Sequence, residues 1–550
     1  MSTHGPVEPE YLGAGVPPQP DPAGSGPTGS GPGRSGSGRR RRSGLVAAAA
    51  AAVVVAVGAG AYGVVQLLAG GSSPATAVPA DAVAYVSLDL DPSAAQKIEA
   101  FQILRKFPAA RKQLGSRDDI RRAVFEEIRT ADGCARLDYA RDVEPWIGDR
   151  VALAAVPDSR HGAAPLVVLQ VTDQEKARAG ARAVEACGSD ATDQEPHRTG
   201  ISFVGDYMLL AETQQEADAF AKDAAAGTLA DAEDFTAALG RTGDPGIVTM
   251  YVSKDAPRAL ATAAAQDGSG AGADNATRDR VDQVARMFQD FQGAAGVVRF
   301  RDGAVEAEVA AKGLPATMGG AGGRGPDTGT LPGTTAAALS VAFRHGWLED
   351  YLRQLNAMSG ADSGDAGVDQ MLADGEQETG LRLPEDIETL FGDGITVSVD
   401  GSADLKTFTE SPDATQVPVG IRIQGDPDKI VPIIDRLKEV AGADGDLVRV
   451  ATADGQVAVG LSQAYVDRLL EQGDLGSVAA FEDVVPEADR ATGSFYVNFD
   501  AGNGWAEQLA DVVTGGDAMV RSNIAPLDAL GASGWTEGDV QHGLLRLTTD

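Results

Sequence analysis

The sequence predicts an α+β fold: tandem duplicated antiparallel or mixed sheet domains with helices on one face, preceded by a disordered tail and one transmembrane helix. Three observations carry that prediction. An uncharged apolar run follows a cluster of arginines, a set of landmarks recurs in the same order, and each set mixes period-two strands with Ala-rich helical stretches. The chain is 43% hydrophobic over 550 residues, enough to bury a substantial core.

Residues 1–44 are rich in Pro, Gly and Ser and cannot bury enough surface to offset the entropy of ordering, so a disordered tail is expected there. The tail ends in Arg39, Arg40, Arg41 and Arg42. Leu45–Ala69 follows, 25 residues without a charge. About 20 apolar residues suffice to cross a hydrocarbon core as a helix. A signal-peptide core spans only about 7–15 residues, which favours an uncleaved signal-anchor. Ala75-Thr76-Ala77 keeps a cleaved leader open as the alternative, because small residues at that spacing suit a signal peptidase. Arginine-rich flanks stay inside, so the N-terminus is expected to be cytoplasmic and the C-terminal bulk extracytoplasmic at the cell membrane.

Beyond the span the chain reads as two related stretches, 78–311 and 334–550, joined by a Gly/Pro/Thr-rich linker over 312–333. Asp142 to Asp149 reads against Asp386 to Asp393, each leading into a β-rich run. Phe235 pairs with Phe481, Tyr251 with Tyr496, and Gly293-Ala294-Ala295-Gly296 with Gly531-Ala532-Ser533-Gly534. Chance likeness between Ala-rich helices does not preserve one order of landmarks. Short Gly/Asp turns between strand runs imply hairpins, hence antiparallel pairing.

Export changes the reading of the two cysteines. Cys134 and Cys187 both fall in the exported part, where an oxidising setting permits a disulfide between them. Closing such a loop contributes about 4 kcal/mol in the chain-entropy picture. Two small buried thiols are the alternative.

Residues for chemistry are sparse. The five histidines are His4, His161, His197, His345 and His542, and none opens a zinc-protease helix motif. No Gly-x-Ser-x-Gly elbow, phosphate-cradling loop or dinucleotide fingerprint occurs. No residue is therefore assigned a catalytic, cofactor-binding or metal-binding role, and no cofactor is expected. Asp89-Leu90-Asp91 invites a metal, but Asp91 before Pro92 reads better as a helix N-cap, with Asp89 facing solvent. Gly148-Asp149 and Gly392-Asp393 read as turns that close a helix. Trp146, Trp347, Trp505 and Trp535 read as core anchors.

The arginine cluster, the Ala/Val span, Val78-Pro79-Ala80-Asp81-Ala82-Val83-Ala84-Tyr85 and Leu88-Asp89-Leu90-Asp91-Pro92-Ser93 together resemble a family of membrane-anchored actinobacterial proteins carrying a domain of unknown function. The use of 36 Arg against 10 Lys fits. The resemblance implies an anchored topology and supplies no catalytic residues.

A net charge of −34 would repel nucleic-acid phosphates, and 5% aromatics leaves few stacking platforms. The function expected is that of a single-pass, membrane-anchored extracytoplasmic protein, a non-enzymatic cell-envelope binding or scaffold module. Its partners would be the membrane and an envelope protein or polymer. The alternative is a carboxylate-based hydrolase or transferase acting on cell-envelope material, since acidic residues are abundant enough for it.

Overall fold

The computed structural model describes residues 73–90, 92–108, 122, 137–158, 162–188, 198–268, 275–315, 325–359, 368–403, 417–502 and 504–550. The N-terminal tail, Leu45–Ala69, Asp91, Cys134, His4, His161 and His197 lie outside them, as does the middle of the linker. Cys187 falls in the helix Gln174–Gly188, but its side chain is not described, so the cysteine pairing lies outside the described residues. Among the described residues, no helix is long and apolar enough to cross a membrane.

The molecule is a mixed α+β structure dominated by one large antiparallel sheet. Its first eight strands are β1 (Ala84–Asp89), β2 (Ile147–Asp158), β3 (Gly162–Val171), β4 (Gly200–Val204), β5 (Tyr207–Ala211), β6 (Val248–Val252), β7 (Gly293–Arg301) and β8 (Ala304–Lys312). The next eight are β9 (Thr335–Ala342), β10 (Gly394–Asp400), β11 (Val419–Gln424), β12 (Arg449–Ala453), β13 (Gln456–Gly460), β14 (Gly493–Asn498), β15 (Leu527–Glu537) and β16 (Val540–Thr549). Across the sheet the first half runs β4-β5-β3-β2-β1-β6-β7-β8, and the second runs β12-β13-β11-β10-β9-β14-β15-β16. The two orders are the same when each strand number is raised by eight. The halves meet where β8 lies antiparallel to β16, from Lys312 opposite Val540 to Ala304 opposite Thr548.

Strand alternation decides which side chains are covered. On β2, Ala152, Ala154 and Val156 are buried together with Tyr85 of β1 and Leu166 and Val168 of β3. The helices Gln214–Ala226 and Glu233–Leu239 cover that face through Ala217, Phe220 and Phe235. The intervening residues Val167, Leu169 and Val171 point to the opposite face. There they pack with Ala177 and Ala181 of Gln174–Gly188. Val86, Leu88 and Val248 on that same side meet Ile103 and Leu104 of the helix Ala94–Leu104. Helices therefore cover both faces, not the one face the sequence predicts. The cause is visible in β3: Leu166-Val167-Val168-Leu169 is apolar without alternation, as in a strand buried on both sides. Each such Leu or Val contributes about 1.5–3 kcal/mol on burial.

A hydrophilic joint holds the halves together. Arg299 of β7, Glu306 of β8 and Arg546 of β16 stand opposite one another in register. Arg299 Nε donates to Glu306 Oε1 at 2.7 Å, and Arg546 Nη1 approaches Glu306 Oε2 at 3.4 Å. Arg299 also pairs with Glu308 and donates to the carbonyls of Thr242 and Asp244 at 2.8 and 3.0 Å. Arg299 and Glu306 are each 3% exposed, so this network is insulated from water.

Candidate binding cleft

At one end of the first half a cleft of about 740 Å³ opens between five pieces of chain. Ala80–Val83 leads into β1 and forms one wall, and Pro157 and Gly162 at the β2–β3 turn form another. Ala232, Glu233 and Asp234 start the short helix Glu233–Leu239. Tyr251 lies near the end of β6, Ser253, Lys254 and Asp255 follow that strand, and Arg258, Ala259 and Thr262 come from the helix Ala256–Gly268. Backbone bonds fix these walls: Val83 N donates to Ala155 O at 2.8 Å, and Ser253 N donates to Val83 O at 2.9 Å. Gly162 has φ +77°, and a Cβ there would stand 2.9 Å from Ala259 O. Only glycine lets the turn approach that helix so closely.

The rim is charged and the floor is not. Lys254 Nζ meets Asp234 Oδ2 at 2.6 Å, and both side chains remain more than half exposed. That contact raises the Lys254 ammonium above its ordinary value. Asp81, Glu233, Asp255 and Arg258 complete a lining with both signs of charge. Beneath them Tyr251 is buried, and burial pushes its hydroxyl up to about 12, helped by Asp234 and Asp255. The phenol therefore stays protonated and can donate or accept a hydrogen bond. The arrangement can hold a polar molecule by charge and hydrogen bonding over an aromatic floor.

Sequence reading singled out none of these residues for chemistry. Tyr251 entered it as a recurring landmark, and Ala80 to Val83 as part of the resemblance motif. Lys254 and Asp234 are 20 residues apart on a turn and a helix start, and nothing in the spacing joins them. The one local signal is Lys254-Asp255 between a strand and a helix in a chain with few lysines.

At the corresponding end of the second half, Asp500, Asp528 and Asp550 bring carboxylate oxygens within 4.8 Å of one another. Burial, then Asp550 and Asp528, raises the Asp500 carboxyl above its ordinary value. Asp528 also accepts a hydrogen bond from Thr548 Oγ1 at 2.8 Å. Oxygen ligands of this kind suit a hard cation, but two of the three residues are exposed, as acidic side chains commonly are.

The other residues weighed for chemistry have structural work. Asp89 Oδ2 accepts from Arg150 Nε at 2.9 Å, so it is an ion-pair partner and not simply a solvent-facing carboxylate. The cap of Ala94–Leu104 is Ser93, whose hydroxyl accepts from Gln96 N at 3.4 Å. Glu388 holds the first turn of Trp347–Ser359, accepting from Leu348 N at 3.0 Å. Asp142 and Asp386 each accept from the backbone N–H four residues earlier, at 2.9 and 2.8 Å. Gly392 has φ +57°, and a Cβ there would meet Gln424 O, whereas Gly148 is already extended within β2. Trp146, Trp505 and Trp535 are buried. His345 is exposed, while His542 sits within β16 and stacks on Trp535 at 5.1 Å. Pairing opposite Trp535 fixes His542 within the sheet.

A family described as "Protein of unknown function (DUF3352)" matches residues 46–393, well over half the chain. The match begins inside the apolar run and ends just before β10. No curated protein matches the chain. No solved structure matches it either.

Proposed function

For a chain that belongs to the DUF3352 family, whose description assigns no activity, we propose a membrane-anchored extracytoplasmic binding module that takes a polar cell-envelope component in the first-half cleft. The cleft is the observation that carries this reading. Its rim offers Lys254, Arg258 and four carboxylates over the buried Tyr251 phenol, a lining suited to sugars or peptides bearing both charges. Anchoring rests on the uncharged run Leu45–Ala69 and on the family match starting within it. The shared strand order supports descent of the two halves from one duplicated unit, in which the second half lends the cleft-bearing half a larger frame.

Heat unfolding of the purified full-length chain, titrated with muropeptides and envelope polysaccharide fractions, tests the binding. Wild-type protein should unfold at a higher temperature with one fraction, while Lys254→Ala and Asp234→Asn should lose that response with little change in the unliganded midpoint. An exposed ion pair contributes only about 0–1 kcal/mol, so the pair can be cut without unfolding the protein. Turnover of a glycan in the same assay would favour the carboxylate hydrolase reading, with Asp81 and Asp255 as its first residues to test. No shift with any fraction would overturn the cleft as a binding site.

A further inference from the structure

The second half carries a polar row that runs farther across the sheet than its counterpart in the first half. On one face of the first half, Thr249, Ser87, Ala152, Val168 and Leu209 stand opposite one another across β6, β1, β2, β3 and β5, so the β2 and β3 positions are apolar. The corresponding row of the second half reads Ser533, Ser494, Ser340, Thr396 and Arg422 across β15, β14, β9, β10 and β11. All five are buried, with Arg422 at 2% exposure and Thr396 at 0%. Thr328 caps the row from the segment that precedes β9.

Counting donors shows that this layer is unbalanced. Thr328 donates to Ser340 at 2.9 Å, so the 2.6 Å contact between Thr328 and Ser494 needs Ser494 as donor. Ser340 and Thr396 share a further bond at 2.7 Å. Four of the five hydroxyls thus bring four protons to three bonds, leaving one O–H at the Ser340–Thr396 end without an acceptor among the described residues. The Ser533 hydroxyl at the far end of the row has no partner among them either. Thr396 stands directly opposite Arg422. Arg422 Nη2 donates to Asp327 O at 2.8 Å and Thr330 Oγ1 at 2.9 Å, and Nη1 reaches Leu469 O at 3.4 Å. Its Nε–H has no acceptor among the described residues. Nor does the guanidinium form an ion pair among them, although it is buried as deeply as Arg299, which has two carboxylates. A buried charge without an ion pair is costly, and burial lowers the Arg422 pKa even against the nearby Asp327 charge.

At the Arg422 end, two spare donors and a positive charge that Asp327 offsets only in part therefore stand at adjacent positions. Water supplies two protons that would themselves need acceptors, whereas an anion accepts only and cancels the charge. We propose that Arg422 and the Ser340–Thr396 hydroxyl pair form an internal binding site for a small monovalent anion of chloride size. The site lies in the opposite half from the cleft and stands or falls independently of it.

The test uses the purified full-length chain dialysed into gluconate, an anion too large for a buried site. Chloride and bromide titrated at constant ionic strength should raise the heat-unfolding midpoint saturably. Thr396→Val should weaken that halide response several-fold, and Arg422→Met should abolish it. Crystals grown in bromide should give an anomalous peak beside Arg422 Nε. Thr396→Val keeps the test decisive if Arg422→Met fails to fold. Equal midpoints in gluconate and halide, a halide response unchanged in Thr396→Val, or ordered water with no anomalous signal at Arg422 would each overturn the assignment.

Discussion

Phe481 sits edge-on to Tyr496, with ring centroids 5.1 Å apart and planes at 72°. Phe235 and Tyr251 repeat the contact in the first half, again at 5.1 Å, with planes at 82°. In each half the Phe comes from a short helix over the sheet, and the Tyr from β6 beside β1 or from β14 beside β9. Such pairs contribute about 0.5–1.5 kcal/mol beyond their buried area.

Truncating either Phe should therefore cost a similar amount. Phe235→Ala and Phe481→Ala are each expected to lose about 3–5 kcal/mol of stability, read by chemical denaturation. A loss below about 1 kcal/mol from either would show that its half does not depend on this packing.

The joint between halves makes a separate prediction. Glu306 lies between Arg299 and Arg546, and removing its charge leaves buried guanidinium groups short of a partner. Glu306→Gln should cost about 3–5 kcal/mol. Hydrogen exchange should accelerate first along β8 and β16, the strands this carboxylate ties together. Faster exchange confined to strands remote from β8 would contradict that role.

Asp386 predicts a pH effect with a defined sign. Burial works to raise its carboxyl, but the Arg382 backbone N–H and guanidinium outweigh burial and hold it below the ordinary 3.8. A depressed folded value means stability that is present above 3.8 and lost as pH falls through the depressed value. Asp386→Asn should then destabilise by about 1–3 kcal/mol at neutral pH. The gap from wild type should close on acidification below the ordinary carboxylate range. A gap that stays constant to low pH would rule out this linkage.

Several of these relationships were legible in the sequence because they involve residues with few substitutes. Asp142 and Asp386 align, and both accept the same backbone bond four residues back. Tyr251 and Tyr496 align, and each meets an aligned Phe. The pairing of β8 with β16 was not legible, since the two strands are over 200 residues apart and periodicity carries no register between distant hairpins. Helices on both faces were hidden for a related reason: an apolar run such as Leu166 to Leu169 does not say which of its sides a helix will cover. The cleft was hidden because Asp234, Lys254 and Asp255 are ordinary surface charges until the turns around them converge.

The placement of the chain at the membrane is tested most directly by thiol accessibility. A Ser73→Cys variant, made with Cys134→Ser and Cys187→Ser to remove other thiols, would be expressed as the full chain and treated in intact cells with a membrane-impermeant maleimide. Labelling without lysis, with the protein retained in the membrane fraction, is the predicted result. Protection in intact cells together with labelling after lysis, or recovery of the uncleaved chain from the soluble fraction, would contradict the anchored extracytoplasmic placement.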